Sequence, residues 1–240
     1  MRNRRIAWSA ALIILLAGGC ACALFLTPWF NITEIEVHGS EKVPVESIVA
    51  ASGIPYEENT FKVNLGHARD SLLTLPYIKT AEIKRESFGR KIVIEVTESR
   101  LVGYIRYVTS FVGIDEDGKA VKVAPEVPDG ALVITGVQLE DPELGRKAAA
   151  LSPDHLNTAL TYIHELDKVS LLGEITYLDV TSTVNVKLAY QDRLSVICGD
   201  EDGLSRKLLV LKEVLASGEI SPNSKGEIDL SINGEAHYTP

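Results

Sequence analysis

Five histidines, three cysteines and two acidic clusters are the residues that could do chemistry in this 240-residue chain. His164-Glu165 opens like the zinc pattern H-E-x-x-H, in which two imidazoles one helical turn apart hold the metal and the glutamate acts as base. Position 168 is Lys168, so the second ligand is missing and His164 is expected on a helix surface. His38, His67, His155 and His237 show no ligand spacing either. Asp115-Glu116-Asp117-Gly118 and Asp200-Glu201-Asp202-Gly203 could suggest calcium. Each is too compressed for an EF-hand loop and lacks its closing bidentate acid, so turn and helix-cap chemistry is the expected use. Cys20 and Cys22 lie in an apolar N-terminal run, which leaves Cys198 alone in the body. One thiol closes no intrachain bridge there. Without a base to activate it, Cys198 is expected as a small buried residue on a strand. Neither a G-x-S-x-G elbow nor a P-loop occurs. No catalytic residue, metal site, cofactor or small-molecule substrate is therefore expected.

Charge narrows the function classes further. Residues 1–33 hold three arginines and no acid, so the remainder carries 24 − 3 = 21 basic and 33 acidic side chains, a net of −12. Nucleic acid and anionic lipid head groups repel such a body, and neither is expected as a partner. From Ile6 to Leu26 there are 21 residues without a charge, enough for a helix to cross a hydrocarbon core of about 30 Å. Arg2, Arg4 and Arg5 precede the run and Glu34 and Glu36 are the first charges after it. The positive-inside rule then keeps the N-terminus cytoplasmic and the body outside. Trp8 and Pro28-Trp29-Phe30 stand where interfacial aromatics are expected. A cleaved signal peptide competes, since Ala21-Cys22-Ala23 has the form of a cleavage site, but Leu24, Phe25 and Leu26 prolong the apolar run past it. Lipoprotein processing before Cys20 would want a leucine where Ala17-Gly18-Gly19 stands. All three readings put the body outside the cytoplasm.

The elements of the body follow from periodicity. Ile35 and Val37 alternate with Glu34, Glu36 and His38, the pattern of a half-buried strand. Val45, Ile48, Val49 and Ser52 share a helical stripe behind Pro44, and Gly53 suits its C-terminus. Leu65, Ala68, Leu72 and Leu75 mark a second helix stopped by Pro76. Strands over Ile78–Ile83 and Ile92–Val96, joined through Ser87, Phe88 and Gly89, complete a β-α-α-β-β unit over 31–98. Beyond it, 99–235 is richer in strands. Tyr104–Val108 and Phe111–Ile114 look extended, and Asp117-Gly118 signals a hairpin before Val121 and Val123. Leu132–Val137 is another β-branched run, and the pattern weakens over 138–151. Ser152-Pro153 opens a helix with the stripe Leu156, Leu160, Ile163 and Leu166. Strands at Ile175–Val180, Val184–Tyr190 and Leu194–Cys198 follow. Asp202 can cap a helix carrying Leu204, Leu208, Leu211 and Leu215. Ile228, Leu230 and Ile232 form a final strand. The expected class is α+β: a tail over 1–5, a transmembrane helix over 6–28, the two body regions, of which the second has a mainly antiparallel sheet, and a C-terminal tail over 236–240.

The order of residues in the first body region resembles a POTRA domain: Ile35, Val37 and Gly39-Ser40, Val45, Ile48 and Ser52-Gly53-Ile54, Asn59 and Phe61, Leu75-Pro76-Tyr77-Ile78, Ala81 and Ile83. With the apolar run before it, the strand Ile92–Glu98, Val102-Gly103, Val127-Pro128 and Ile228-Asp229-Leu230, the whole chain resembles the FtsQ/DivIB family. Phe88-Gly89 replaces the family's usual hairpin proline, Ser99 its basic residue, and 138–151 looks like an insertion. The resemblance implies a non-enzymatic divisome scaffold, held in the cell membrane at the septum, that binds FtsB/DivIC and FtsL-type bitopic proteins and helps control septal peptidoglycan synthesis. It also implies that the last strand, through Asp229, Leu230, Ser231, Ile232, Asn233, Gly234 and Tyr238, offers an edge for strand addition. The plain alternative is a core strand with a frayed tail. A membrane-anchored cell-wall hydrolase would need an acid or nucleophile in a cleft. A POTRA-bearing transport component would carry tandem units or a barrel.

Overall fold

The computed structural model describes residues 12–19, 27–221, 223–231 and 235–240. Residues 12–19 are helical, while the expected tail over 1–5 and most of the expected membrane span lie outside the described residues. Among those described, no helix is long and apolar enough to cross a membrane. The body divides into two compact units, Met1–Glu98 and Ser99–Pro240.

The first unit runs β1 (Glu34–His38), α1 (Val45–Ser52), α2 (Leu65–Leu73), β2 (Ile78–Glu86) and β3 (Lys91–Glu98). The sheet order is β1-β3-β2, with β1 parallel and β2 antiparallel to the central strand. Gly53 turns the chain out of α1 at φ +63°, a conformation that costs a side-chain-bearing residue about 1 kcal/mol. The Asn64 side chain accepts the N–H of His67 and so caps α2. Ile48, Leu72, Ile78, Ile92 and Ile94 are fully buried between the helices and one face of the sheet.

The end of β3 is tied down by a carboxylate. Glu98 accepts the N–H groups of Glu41, Lys42 and Val43 at 2.9–3.1 Å, and Ser40 Oγ lies 3.2 Å away. Burial by itself pushes this carboxyl up, but the bonds from Val43, Lys42, Glu41 and Ser40 outweigh it and hold its pKa below the ordinary value of 4.5. A carboxyl depressed by folding contributes stability that is complete above its unfolded pKa and is lost as pH falls through the folded one. The first unit should therefore lose stability in acid below about pH 4.5. Glu98→Gln should lower stability at pH 7 and flatten that acid dependence, as read by denaturant unfolding across pH.

The second unit is built on a nine-stranded sheet. Its strands are β4 (Leu101–Tyr107), β5 (Ser110–Asp115), β6 (Ala120–Ala124), β7 (Val133–Thr135), β10 (Ile175–Asp179), β11 (Val186–Tyr190), β12 (Leu194–Gly199), β13 (Gly226–Asp229) and β14 (His237–Thr239), in the order β14-β13-β12-β11-β10-β7-β4-β5-β6. Pairing is mostly antiparallel; β7 with its two neighbours and β12 with β13 are parallel. β7 is three residues long and joins the β4–β6 block to the β10–β14 block. Two helices, α3 (Pro153–Lys168) and α4 (Leu204–Ser217), bury Leu156, Ile163, Leu166, Leu208 and Leu211 with Ile134, Leu178, Val196 and Ile228 of the sheet. Each such side chain contributes roughly 1.5–3 kcal/mol.

Several local expectations need correction. Segment 138–151 holds a small hairpin, β8 (Leu139–Glu140) with β9 (Ala149–Ala150). Strands of two residues have no period to read. The Ser152 side chain makes no cap bond, and α4 is capped by Gly203 rather than Asp202. Val184 is exposed in a turn and not on a strand. Residues 236–240 include a strand where a tail was expected.

Candidate partner-binding edge

The chemistry-capable residues are occupied structurally. Cys198 is buried in β12, where burial pushes its thiol up to about 12, far from a nucleophile's range. His164 is exposed on α3, and its neighbour Glu165 pairs with Lys168 and the Ser205 hydroxyl. Asp115 is buried and accepts the N–H groups of Asp117 and Lys119 at 3.0 and 2.8 Å, which closes the β5–β6 turn. Asp200 meets the buried ammonium of Lys207 at 3.0 Å, and that bond is the main reason its pKa is lowered. Among the described residues no group of three metal-binding side chains converges.

What the second unit does present is a sheet margin. A long sheet has two edges, and here they differ. The β6 edge is guarded. The Ala120 N–H donates to the Arg146 carbonyl at 2.9 Å, and the Ala120 carbonyl accepts the Gly145 N–H at 2.7 Å. Lys122 is exposed on the strand and Pro125 follows it, two devices that discourage pairing with another chain.

The other edge is β14. Gly226 and Leu230 donate their N–H groups toward the β12 side, to Arg193 and Ile197 carbonyls at 3.4 and 2.8 Å. Successive residues of a strand turn their backbone groups to opposite sides, so Glu227 and Asp229 face β14, where their partners are Thr239 and His237. Between them Ile228 opposes Tyr238, and this alternation turns the Tyr238 N–H and C=O away from the sheet. All three β14 residues are exposed. The Tyr238 hydroxyl donates to the Lys225 carbonyl at 3.0 Å, fixing the ring.

The expected site residues are therefore dispersed. Asp229 lies in β13, an interior strand paired on both sides, and its carboxylate accepts the Ser231 hydroxyl and N–H at 2.6 and 2.8 Å. Those two bonds, the hydroxyl's foremost, lower its pKa. Leu230 is buried and Ser231 sits in a turn. Ile232, Asn233 and Gly234 lie outside the described residues. Tyr238 alone stands on the free strand, with His237 and Thr239, which the sequence pattern did not single out. Three alternating residues after a turn are too short a signal. Around this edge Glu227 and Glu235 are exposed and Asp229 half-buried, against the exposed Lys225 and His237, so acids outnumber the basic side chains along the margin.

Comparison with known proteins adds the lineage. Residues 30–99 match the family model described as POTRA domain, FtsQ-type. The chain is 28% identical over 223 residues to cell division protein DivIB of Clostridium tetani, covering 92% of this chain and 83% of that one. It is 28% identical over 203 residues to cell division protein FtsQ of Streptomyces collinus, covering 83% and 72%. Over most of its length the chain is similar to cell division proteins named DivIB and FtsQ, and residues 30–99 carry the FtsQ-type POTRA domain. The solved extracytoplasmic domain of DivIB from Geobacillus stearothermophilus aligns with 54% of this chain and 99% of its own, at 15% identity and a TM-score of 0.32. The POTRA match falls in the first unit, and the guarded and open sheet edges belong to the second.

Proposed function

We propose that this protein is a non-enzymatic, bitopic divisome scaffold whose second unit captures an extended segment of an FtsB/DivIC-type partner along β14. The observation that carries this reading is the asymmetry of the sheet: one edge is covered and charged, while the other is exposed and turns unpaired backbone groups outward. A docking strand gains main-chain bonds from such an edge and specificity from alternate side chains. The acidic surround favours a partner strand carrying lysine or arginine. Ile6–Leu26 anchors the chain with its N-terminus in the cytoplasm, and FtsL-type proteins complete the assembly, which helps control septal peptidoglycan synthesis. The division role is supported by the relatives named as cell division proteins. The absence of chemistry is supported by how the acids, Cys198 and His164 are used, and by the charge at the cleft beside β4, Arg100, which is already paired with Asp167 at 2.7 Å. A fluorescent fusion of the full chain in dividing cells should form a ring at midcell. Uniform envelope staining would overturn the proposal.

A further inference from the structure

Aromatic side chains gather, exposed, at one end of the first unit. Trp29, in the short turn Pro28–Phe30, is 77% exposed. Phe30 meets Phe61 edge to face with ring centroids 5.3 Å apart, and Phe61 is itself exposed. The bridge of Asn31 with Asn59 and the bond from Ile32 N–H to the Glu58 carbonyl hold these two turns side by side. The tip of the β2–β3 hairpin abuts them: a Cβ at Gly89 would lie 2.4 Å from Thr60 Cγ2, and Arg85 donates to the Thr60 hydroxyl and carbonyl at 3.0 Å each. At that tip Phe88 is 91% exposed in a left-handed conformation, φ +60°. Holding a bulky residue there costs about 1–2 kcal/mol, and Phe88 returns almost no burial to the fold. Its place is not explained by the unit's own stability.

We propose that Trp29, Phe61 and Phe88 form a rim that rests in the head-group region of the bilayer and sets this end of the POTRA domain against the membrane surface. The inference depends on the anchoring role assigned to Ile6–Leu26. The bilayer is the occupant because Thr27 follows the apolar run Ile6–Leu26 directly, which leaves Trp29 only three residues beyond Leu26, and no charge intervenes before Glu34. Aromatic rings, tryptophan above all, favour that polar–apolar boundary. Charges beside the rim are balanced, three acids (Glu57, Glu58 and Glu86) against three bases (Lys62, Arg85 and Arg90), with Lys62 held by Glu58 at 3.1 Å. The contact therefore needs no anionic lipid, and it is compatible with the acidity of the body.

The test uses the full chain in phosphatidylcholine vesicles with Trp8→Phe and Trp29→Phe, so that one introduced indole reports. Phe88→Trp places it on the rim. Tyr77→Trp places it at the opposite end of β2, about 30 Å away by strand rise. The indole of Phe88→Trp should be blue-shifted in the vesicles and quenched when the lipids are brominated near the head group, and that of Tyr77→Trp should show neither effect. If the chain floats with the vesicles but the rim indole is not quenched, the rim contact is overturned and the anchor stands. Equal quenching at both positions also overturns it, because the unit would then lie flat on the membrane. A chain that does not float overturns the anchor and the rim together.

Discussion

A Tyr238→Pro chain should fold and reach the membrane normally, yet bind its extended partner at least tenfold more weakly. The Tyr238 N–H points out of the sheet, while Thr239 and His237 carry the register with Glu227 and Asp229. Proline at that position removes an outward donor and leaves the inward ladder intact, which is how edge strands tolerate it. A docking strand loses one main-chain bond, worth about 0.5–1.5 kcal/mol, and meets the ring's bulk where it must approach. Together these amount to roughly 1.4 kcal/mol or more, the free energy of a tenfold change in Kd. Tyr238→Phe separates the causes: it keeps the backbone donor and loses only the bond to Lys225, so its binding should stay close to that of the parent. Calorimetric titration of both variants with the partner's ectodomain reads the difference. Undiminished binding by Tyr238→Pro would move the contact elsewhere on the molecule.

A large loss of stability is expected from Gly136→Ala. Gly136 turns the chain out of β7 at φ +85°, and a Cβ there would lie 2.2 Å from the Thr181 backbone nitrogen and 2.5 Å from the Val180 carbonyl carbon. Neither neighbour is a flexible side chain. Val180 donates to the Thr135 carbonyl at 3.0 Å, so the displaced atoms belong to the junction between β7 and β10. Because β7 joins both blocks of the sheet, parting it from β10 loosens the whole second unit. The left-handed penalty and the backbone shift together should cost about 3 kcal/mol or more. For a unit of this size that lowers Tm by roughly 10 °C. Gly173→Ala is the control, with open space around its Cβ and no left-handed φ. Scanning calorimetry should show the two substitutions well apart; equal, small shifts would mean that β7 and β10 can slide to make room.

These two positions also show where reading the chain succeeds and where it stops. The stripes Leu156, Leu160, Ile163, Leu166 and Leu204, Leu208, Leu211 are local patterns, and all of these residues are buried in the helices expected. The hairpin at Asp117-Gly118 is equally local. Which strand lies at the margin is not local. Asp229 and Leu230 look like a terminal strand until β14 returns beside β13, and that return is set by the turn at Ser231 and by contacts far apart in sequence. Gly136 reads as any loop glycine until the end of β10 is seen to pass within 3 Å of the place a side chain would occupy. Helix starts at Ser152 and Gly203 depend on the angle of the incoming chain, which composition does not encode.

The place of β14 has a consequence in time. A chain is synthesised from its N-terminus, and domains organise as they emerge. β14 pairs with β13, which pairs with β12, so the margin exists only after every strand that supports it has been made. A polypeptide interrupted anywhere upstream of His237 has no recruiting strand to show. With β14 as the proposed docking strand, recruitment would be reserved for copies whose second unit is already complete, and half-made copies would stay out of the assembly without any separate inspection.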